Sequence, residues 1–278
     1  MKIVIVGLGV IGGSFGLALR EAGFHEVYGI DADQSAVDKA KELGIIRQGS
    51  TSGQELLGAA DLTILAIYPQ SIKAFLVANR ENFKTGSIIT DTTGVKGPLV
   101  AELAQLLPMK ADVVLGHPMA GREKRGLEYA SASVFKGANY LLTPLPSNQE
   151  VNLQSITDLV YQLGFKNVRR LTPQAHDEMI SFTSQLPHAI AVALMNSDEA
   201  GRRTGEYIGD SFRDLTRIAN INGPLWSELF LENREALLAS IEKFEFELLK
   251  IKEALSQANS DALMDCFAES SRRRELLD

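Results

Sequence analysis

Residues 2–12 read Lys2-Ile3-Val4-Ile5-Val6-Gly7-Leu8-Gly9-Val10-Ile11-Gly12, a short apolar run that passes straight into Gly-x-Gly-x-x-Gly. Asp31 closes a second strand-like run, Glu26-Val27-Tyr28-Gly29-Ile30, at about the 20-residue interval that a ribose contact requires. A strand, a glycine turn, a helix and a second strand ended by a carboxylate constrain the fold more than anything else in the chain. Gly7 permits the tight turn, and Gly9 lets backbone approach a pyrophosphate. Gly12 lets the helix pack close to the strand, with its N-terminal amides facing the anion. Gly7, Leu8, Gly9, Val10, Ile11 and Gly12 are therefore the expected dinucleotide contacts. A carboxylate at Asp31 accepts from a ribose 2′-hydroxyl and repels a 2′-phosphate, so NAD is the expected cofactor. Asp33 adds to that repulsion and also stands where a helix from Gln34 to Leu43 would begin.

At 278 residues the chain has room for two domains, and 45% apolar with 23% charged residues is ordinary globular composition. Lys plus Arg number 28 against 35 Asp plus Glu, a net charge of −7. Such a surface repels nucleic-acid backbone and anionic membrane, so neither is an expected partner. Arg272-Arg273-Arg274, beside Glu275 and Asp278, reads as a solvated tail or helix face. Cys266 is the only cysteine, so no internal disulfide can form, and no metal-site spacing is present. Lys2 to Leu19 superficially resembles a signal peptide, but its glycines suit a helical apolar segment poorly, and cleavage there would destroy the glycine fingerprint. Elsewhere no apolar run approaches the roughly 18 residues of a membrane span. A soluble, cytoplasmic protein is expected.

Up to residue 171 short apolar runs alternate with amphipathic stretches. Strands are expected at 2–6, 26–30, 62–67, 87–90, 113–116, 139–143 and 167–171, and helices at 10–22, 34–43, 69–80, 95–107 and 149–163. That alternation predicts a doubly wound, mostly parallel α/β sheet over residues 1–171, with the last short strands as antiparallel additions. From 172 to 278 the pattern becomes helical. Thr172-Pro173 reads as an N-cap with proline at the first helical position. Pro187 predicts a kink or restart near Gln185. From Gly223 to about Ala258 a single long amphipathic helix is expected, longer than a small lobe would bury alone. The second domain is therefore expected to be all-helical and to form a homodimer.

Four histidines are candidates for chemistry. His25 precedes the second strand and reads as solvated surface. His176 falls in the first turn of a helix beside Asp177 and Glu178, which suggests a surface or capping role. His188, on an apolar helical stretch after Pro187, reads as a core histidine. His117 follows Val113-Val114-Leu115-Gly116, where a parallel strand ends, and open α/β sheets bind ligands at those ends. It is either the catalytic group or a structural hydrogen-bond partner. The strand-end loop Asp91-Thr92-Thr93-Gly94-Val95-Lys96 faces the same side, with Thr92 as a cofactor contact, or merely caps a helix. Arg213 and Arg217, four apart, share a helical face and form either an anion clamp or a salt-bridged surface.

Taken together, Gly7 through Ser14, Asp91 through Gly97, His117-Pro118-Met119-Ala120-Gly121, Leu186-Pro187-His188, Phe212 through Ala219, Trp226 and Leu231-Glu232-Asn233 resemble the prephenate/arogenate dehydrogenases of tyrosine biosynthesis. The resemblance spans nearly the whole chain. It implies NAD-dependent oxidative decarboxylation of prephenate to 4-hydroxyphenylpyruvate, or of arogenate to tyrosine. It implies His117 as the base that takes the 4-hydroxyl proton, a task suited to an imidazole at neutral pH. It places Arg217 on a substrate carboxylate, has His188, Glu123 and Asp214 line or gate the site, and puts Trp226 near it, where a core aromatic is an equal reading.

Two positions depart from the family pattern. Gly94 stands where many relatives have a serine near the catalytic histidine, leaving Thr92, Thr93 or a water to orient His117. Gln185 stands where some relatives have a second histidine. A β-hydroxy-acid dehydrogenase would rely on a lysine deep in the second domain, whereas Lys243, Lys250 and Lys252 lie on a charged stretch. A non-catalytic NAD-binding redox sensor would lack the base that His117 supplies.

Overall fold

Alternate side chains of the first strand, β1 (Ile3–Val6), enter two different cores in the computed structural model, which describes residues 1–106, 109–121 and 124–277. Ile3 and Ile5 join one apolar cluster with Phe15, Leu19 and Phe135, while Val4 and Val6 join the other with Ile72, Leu76 and Leu103. A strand buried on both faces belongs to a sheet covered on both sides, and its period of two explains the uninterrupted apolar run. Each such fully buried side chain contributes about 1.5–3 kcal/mol of transfer free energy.

The sheet has the order β3-β2-β1-β4-β5-β6-β7-β8. Its other strands are β2 (Val27–Ile30), β3 (Gln48–Ser50), β4 (Leu62–Leu65), β5 (Ile88–Asp91), β6 (Asp112–Pro118), β7 (Asn139–Thr143) and β8 (Asn167–Arg170). Between them run α1 (Val10–Glu21), α2 (Gln34–Glu42), α3 (Gln54–Ala59), α4 (Pro69–Asn79), α5 (Gly97–Leu106) and α6 (Glu150–Gln162). β3 and α3 have no counterpart in the sequence reading, because Gln48-Gly49-Ser50 is too short and polar to signal a strand. The chain moves outward from β1 to β3 and then returns to β4, so the switch point lies between β1 and β4. Gly7 has φ +90°, and a Cβ there would overlap the carbonyl oxygen of Ala66; one on Gly12 would overlap that of Gly7.

β6 changes partner along its length. Residues 112–114 pair in parallel with β5, whereas Leu115 to Pro118 pair antiparallel with β7, His117 opposite Leu141. His117 thus lies beyond the parallel part of the sheet, carried over the cleft on an extended strand rather than in a loop. β7 then pairs in parallel with β8.

From Thr172 onward the described elements are helical. They are α7 (Pro173–Ile180), α8 (Leu186–Asn196), α9 (Asp210–Thr216), α10 (Gly223–Glu232), α11 (Arg234–Ser256) and α12 (Ser260–Glu275). Thr172 caps α7 by accepting from Ala175 N at 3.1 Å. A π-helical turn over Ser181–Gln185 joins α7 to α8, so the chain passes Pro187 by widening its helix rather than stopping it. The single helix expected from 223 to 258 is two. Asn233 breaks it, and its side-chain amide donates to the Asp177 carbonyl at 2.9 Å and to Gln185 Oε1 at 2.8 Å. Docking of that one side chain outweighs helical continuity. The arginine run lies on α12, where Arg272 and Arg273 bond Glu269. Among the described residues no helix is long and apolar enough to cross a membrane.

Candidate active site

The carboxyl ends of β1, β4, β5 and β6 open onto a cavity of about 620 Å³, closed on the far side by the helical region. Gly9 to Ile11, Ala66 to Pro69, Thr92 to Gly94 and His117 to Gly121 form the sheet-side wall. Gln185, His188, Arg217, Trp226 and Leu229 form much of the opposite wall. Two halves of the chain with different secondary structure therefore meet over a single cleft at the switch point, where α/β sheets bind ligands.

The nucleotide end is built from backbone. Gly9 is the N-cap of α1 and gives no side-chain cap, so the first-turn amides are left for an external acceptor. A Cβ on Gly9 would meet nothing within 4 Å, which leaves open space for a phosphate to approach. The Leu8 side chain is buried, and its amide donates to Asp31 Oδ2 at 2.7 Å. Asp33 N donates to Asp31 Oδ1 at 2.9 Å, while the Asp33 carboxylate caps α2 by accepting from Ser35 N. The Asp31 carboxylate is thereby held at the end of β2. Arg47 pairs with Glu26 at the opposite end of that strand, away from it. Thr92 N donates to the Leu65 carbonyl at 3.1 Å and the residue lines the cavity. These features fit a dinucleotide with a free ribose diol.

His117 is the imidazole at the centre of the cleft. Its Nδ1 lies 2.9 Å from Nε2 of His176, and His176 Nδ1 lies 2.7 Å from Asp177 Oδ1. His176 is completely buried, which corrects the surface or capping role expected from its polar neighbours. The first turn of α7 is not solvated, because it docks on the start of α5: Lys96 N and Gly97 N donate to the two oxygens of Asp177 at 2.8 and 2.7 Å. A periodic signal for this was present, since His176 and the buried Ile180 are one turn apart. His176 also supplies the orientation expected from Thr92, Thr93 or a water. A Cβ on Gly94 would lie 3.8 Å from His117 Nε2, so the glycine leaves the cleft-facing nitrogen uncovered.

Burial holds the His117 pKa well below the ordinary 6.5, with His176 and Lys96 acting in the same direction. Burial likewise lowers that of His176, opposed by its bond to Asp177. At neutral pH both rings are uncharged, the state a base requires.

On the helical wall His188 Nδ1 donates to the Ser184 carbonyl at 2.8 Å, and its ring stacks on Trp226 with centroids 3.7 Å apart. His188 faces the cavity from that stack rather than sitting in the core. Arg217 lines the cavity as well. Asp214 is exposed on α9 and does not line it, and Glu123 lies outside the described residues. His25 is exposed, as are Lys243, Lys250 and Lys252, none of which lines the cavity. Among the described residues no cluster of His, Cys, Asp or Glu could hold a metal ion.

A glycine turn at the switch point, facing an imidazole and an arginine across one cleft, is the arrangement of a nucleotide-dependent dehydrogenase. The particular branch follows from comparison. The family model for the prephenate dehydrogenase nucleotide-binding domain matches residues 15–169, and that for the prephenate dehydrogenase dimerization domain matches 172–269. The chain belongs to the prephenate dehydrogenase family. It is 30% identical to the cyclohexadienyl dehydrogenase of Zymomonas mobilis over 98% of this chain and 94% of that protein. It is 29% identical to the prephenate dehydrogenase of Bacillus subtilis over 98% of this chain and 75% of that one. Among solved structures, prephenate dehydrogenase from A. aeolicus in complex with hydroxyphenyl propionate and NAD+ superimposes with a TM-score of 0.90 at 31% identity, covering 100% of this chain and 99% of that chain.

Proposed function

We propose that this chain is an NAD-dependent prephenate dehydrogenase, which converts prephenate to 4-hydroxyphenylpyruvate with loss of carbon dioxide. The observation that carries the reading is His117, held at Nδ1 by His176 and lining the cleft between a nucleotide turn and Arg217, with burial favouring its uncharged form. Bound NAD+ supplies the acceptor for the hydride that leaves the carbon bearing the 4-hydroxyl. His117 Nε2 accepts the proton of that hydroxyl as the carbonyl forms. Arg217 pairs with a substrate carboxylate through its planar guanidinium. The stacked His188 and Trp226 hold the ring on the helical side. As the ring carboxylate departs as carbon dioxide, the electron pair of its bond passes through the ring to the new carbonyl oxygen, which takes the proton back from His117. The product is an aromatic phenol, which makes the reaction effectively irreversible.

Lys124, Arg125 and Arg217 line the cavity and suit the two carboxylates that prephenate and arogenate share. Prephenate is preferred because the relatives from Bacillus subtilis and Lactococcus lactis are prephenate dehydrogenases. Glu123 holds a site position by family resemblance, and Asp31 selects NAD over NADP. A homodimer is supported by the apolar side chains that α11 and α12 leave exposed, including Leu238, Phe246, Leu255 and Phe267. The unpaired Cys266 suits a reducing cytoplasm. The test is absorbance at 340 nm with NAD+ and prephenate or arogenate, compared by kcat/KM. A rise with prephenate supports the reading, a clear preference for arogenate moves it to the other substrate, and no rise with either overturns it.

A further inference from the structure

We propose that His176 and Asp177 are positioning residues that keep the proton of His117 on Nδ1 and thereby leave Nε2 as the base. The proposal rests on the base role given to His117 above. The carboxylate of Asp177 can only accept hydrogen bonds. Oδ1 receives Lys96 N at 2.8 Å and Oδ2 receives Gly97 N at 2.7 Å, and His176 Nδ1 approaches Oδ1 at 2.7 Å. His176 Nδ1 must therefore carry hydrogen. A neutral imidazole has one such hydrogen, so Nε2 of His176 presents a lone pair. That lone pair faces His117 Nδ1 at 2.9 Å, which must then be the donor.

The reverse order of protons would set a nitrogen lone pair against the carboxylate oxygen at 2.7 Å. With His176 fully buried, solvent does not screen that repulsion. Asp177 thus dictates, through one intervening ring, which nitrogen of His117 faces substrate. After proton uptake at Nε2, the His117 imidazolium still donates from Nδ1 to the same acceptor, so the charged ring is held without rearrangement. The line of bonds also joins the sheet to the helical half. His176 and Asp177 belong to α7, whereas His117 and the two anchoring amides belong to β6 and to the entry of α5. The tautomer is therefore set by docking of the helical half on the sheet.

Imidazole 15N NMR of the wild-type protein at neutral pH tests this without any variant. The expected result is a hydrogen-bearing Nδ1 and a pyridine-type Nε2 on His117; a hydrogen-bearing Nε2 on the neutral ring overturns the proposal. His176→Leu removes the acceptor and His176→Gln replaces it with a carbonyl that can accept from His117 while its amide donates to Asp177. The leucine variant is expected to lose roughly 10²-fold in kcat, as removal of an orienting group does, with substrate KM within a few-fold. The glutamine variant should recover most of that loss and retain the wild-type tautomer. Equal impairment of the two, or wild-type rates in both, overturns the proposal. Should the leucine variant not fold, the wild-type spectrum and the glutamine variant still decide. If the tautomer is as expected but His117→Asn keeps its activity, the base assignment fails and the tautomer control stands.

Discussion

The ammonium of Lys96 lies 2.7 Å from the carbonyl oxygen of Gly116, the residue immediately before His117. The same nitrogen is 2.5 Å from Asp91 Oδ2, and Asp91 Oδ1 accepts from Gly116 N at 3.0 Å. One buried ion pair therefore grips both backbone polar groups of Gly116, the residue that precedes the base. Burial pulls the Lys96 pKa below that of an ordinary lysine, and Asp91 opposes the shift. Lys96→Met should leave a buried carboxylate without its partner and cost about 3–5 kcal/mol. Adding Asp91→Asn should return part of that loss, as read from urea unfolding. A Lys96→Met protein within about 1 kcal/mol of wild type, inside the range of an ordinary surface change, would show that the pair does not hold the strand end.

His117→Asn is expected to lower kcat by roughly 10²–10⁴-fold, the usual worth of a positioned general base, with substrate KM little changed. Steady-state kinetics with prephenate checks it. Activity within a few-fold of wild type removes His117 from the base role.

The pH profile carries a sign. Because burial depresses the His117 pKa below 6.5, the base stays free as pH falls through 6.5, and kcat/KM should decline only well below it. An acid limb centred at or above 6.5 contradicts this environment. Stability should follow the same linkage. An unfolded chain takes up protons at an ordinary histidine pKa while folded His117 and His176 do not, so folding free energy is lost as pH drops from about 6.5 toward the depressed values. The melting temperature of His176→Gln should depend less steeply on pH over that window.

Arg217→Ala should weaken substrate binding by about 2–4 kcal/mol, as loss of a charge-assisted pair does, and leave NAD+ affinity intact. Titration of each ligand separately distinguishes the two. Collapse of cofactor affinity with an unmoved substrate KM would refute the clamp and point to Arg213, one turn away.

Asp31 should favour NAD over NADP by roughly 10²-fold or more in kcat/KM, since a 2′-phosphate would meet its carboxylate with Asp33 nearby and Arg47 engaged at the far end of the strand. Asp31→Ser with Ala32→Arg should narrow or reverse the ratio. Equal use of both cofactors by the wild-type protein would overturn the assignment.

The sequence by itself determined the features whose causes are local. Strand β1 into the glycine turn, the Asp33 and Thr172 caps, and the change from alternating elements to helices all follow from side-chain period and from backbone that only glycine or proline suits. His117 was legible for the same reason, because a strand end in an α/β sheet is a place as well as a pattern. Tertiary structure decided what depends on partners distant in the chain. His176, 59 positions from His117, carries polar neighbours that suggest solvent, and only the docking of α7 on α5 turns it inward. Lys96 looks like part of a polar loop until β6 places the Gly116 carbonyl beside it. Asn233 sits inside an unbroken amphipathic period, and the helix breaks there because its amide is held by Asp177 and Gln185. Hydrogen bonds between residues 20 to 59 positions apart are not written in the local sequence around either partner. Their energy exists only once those segments have met.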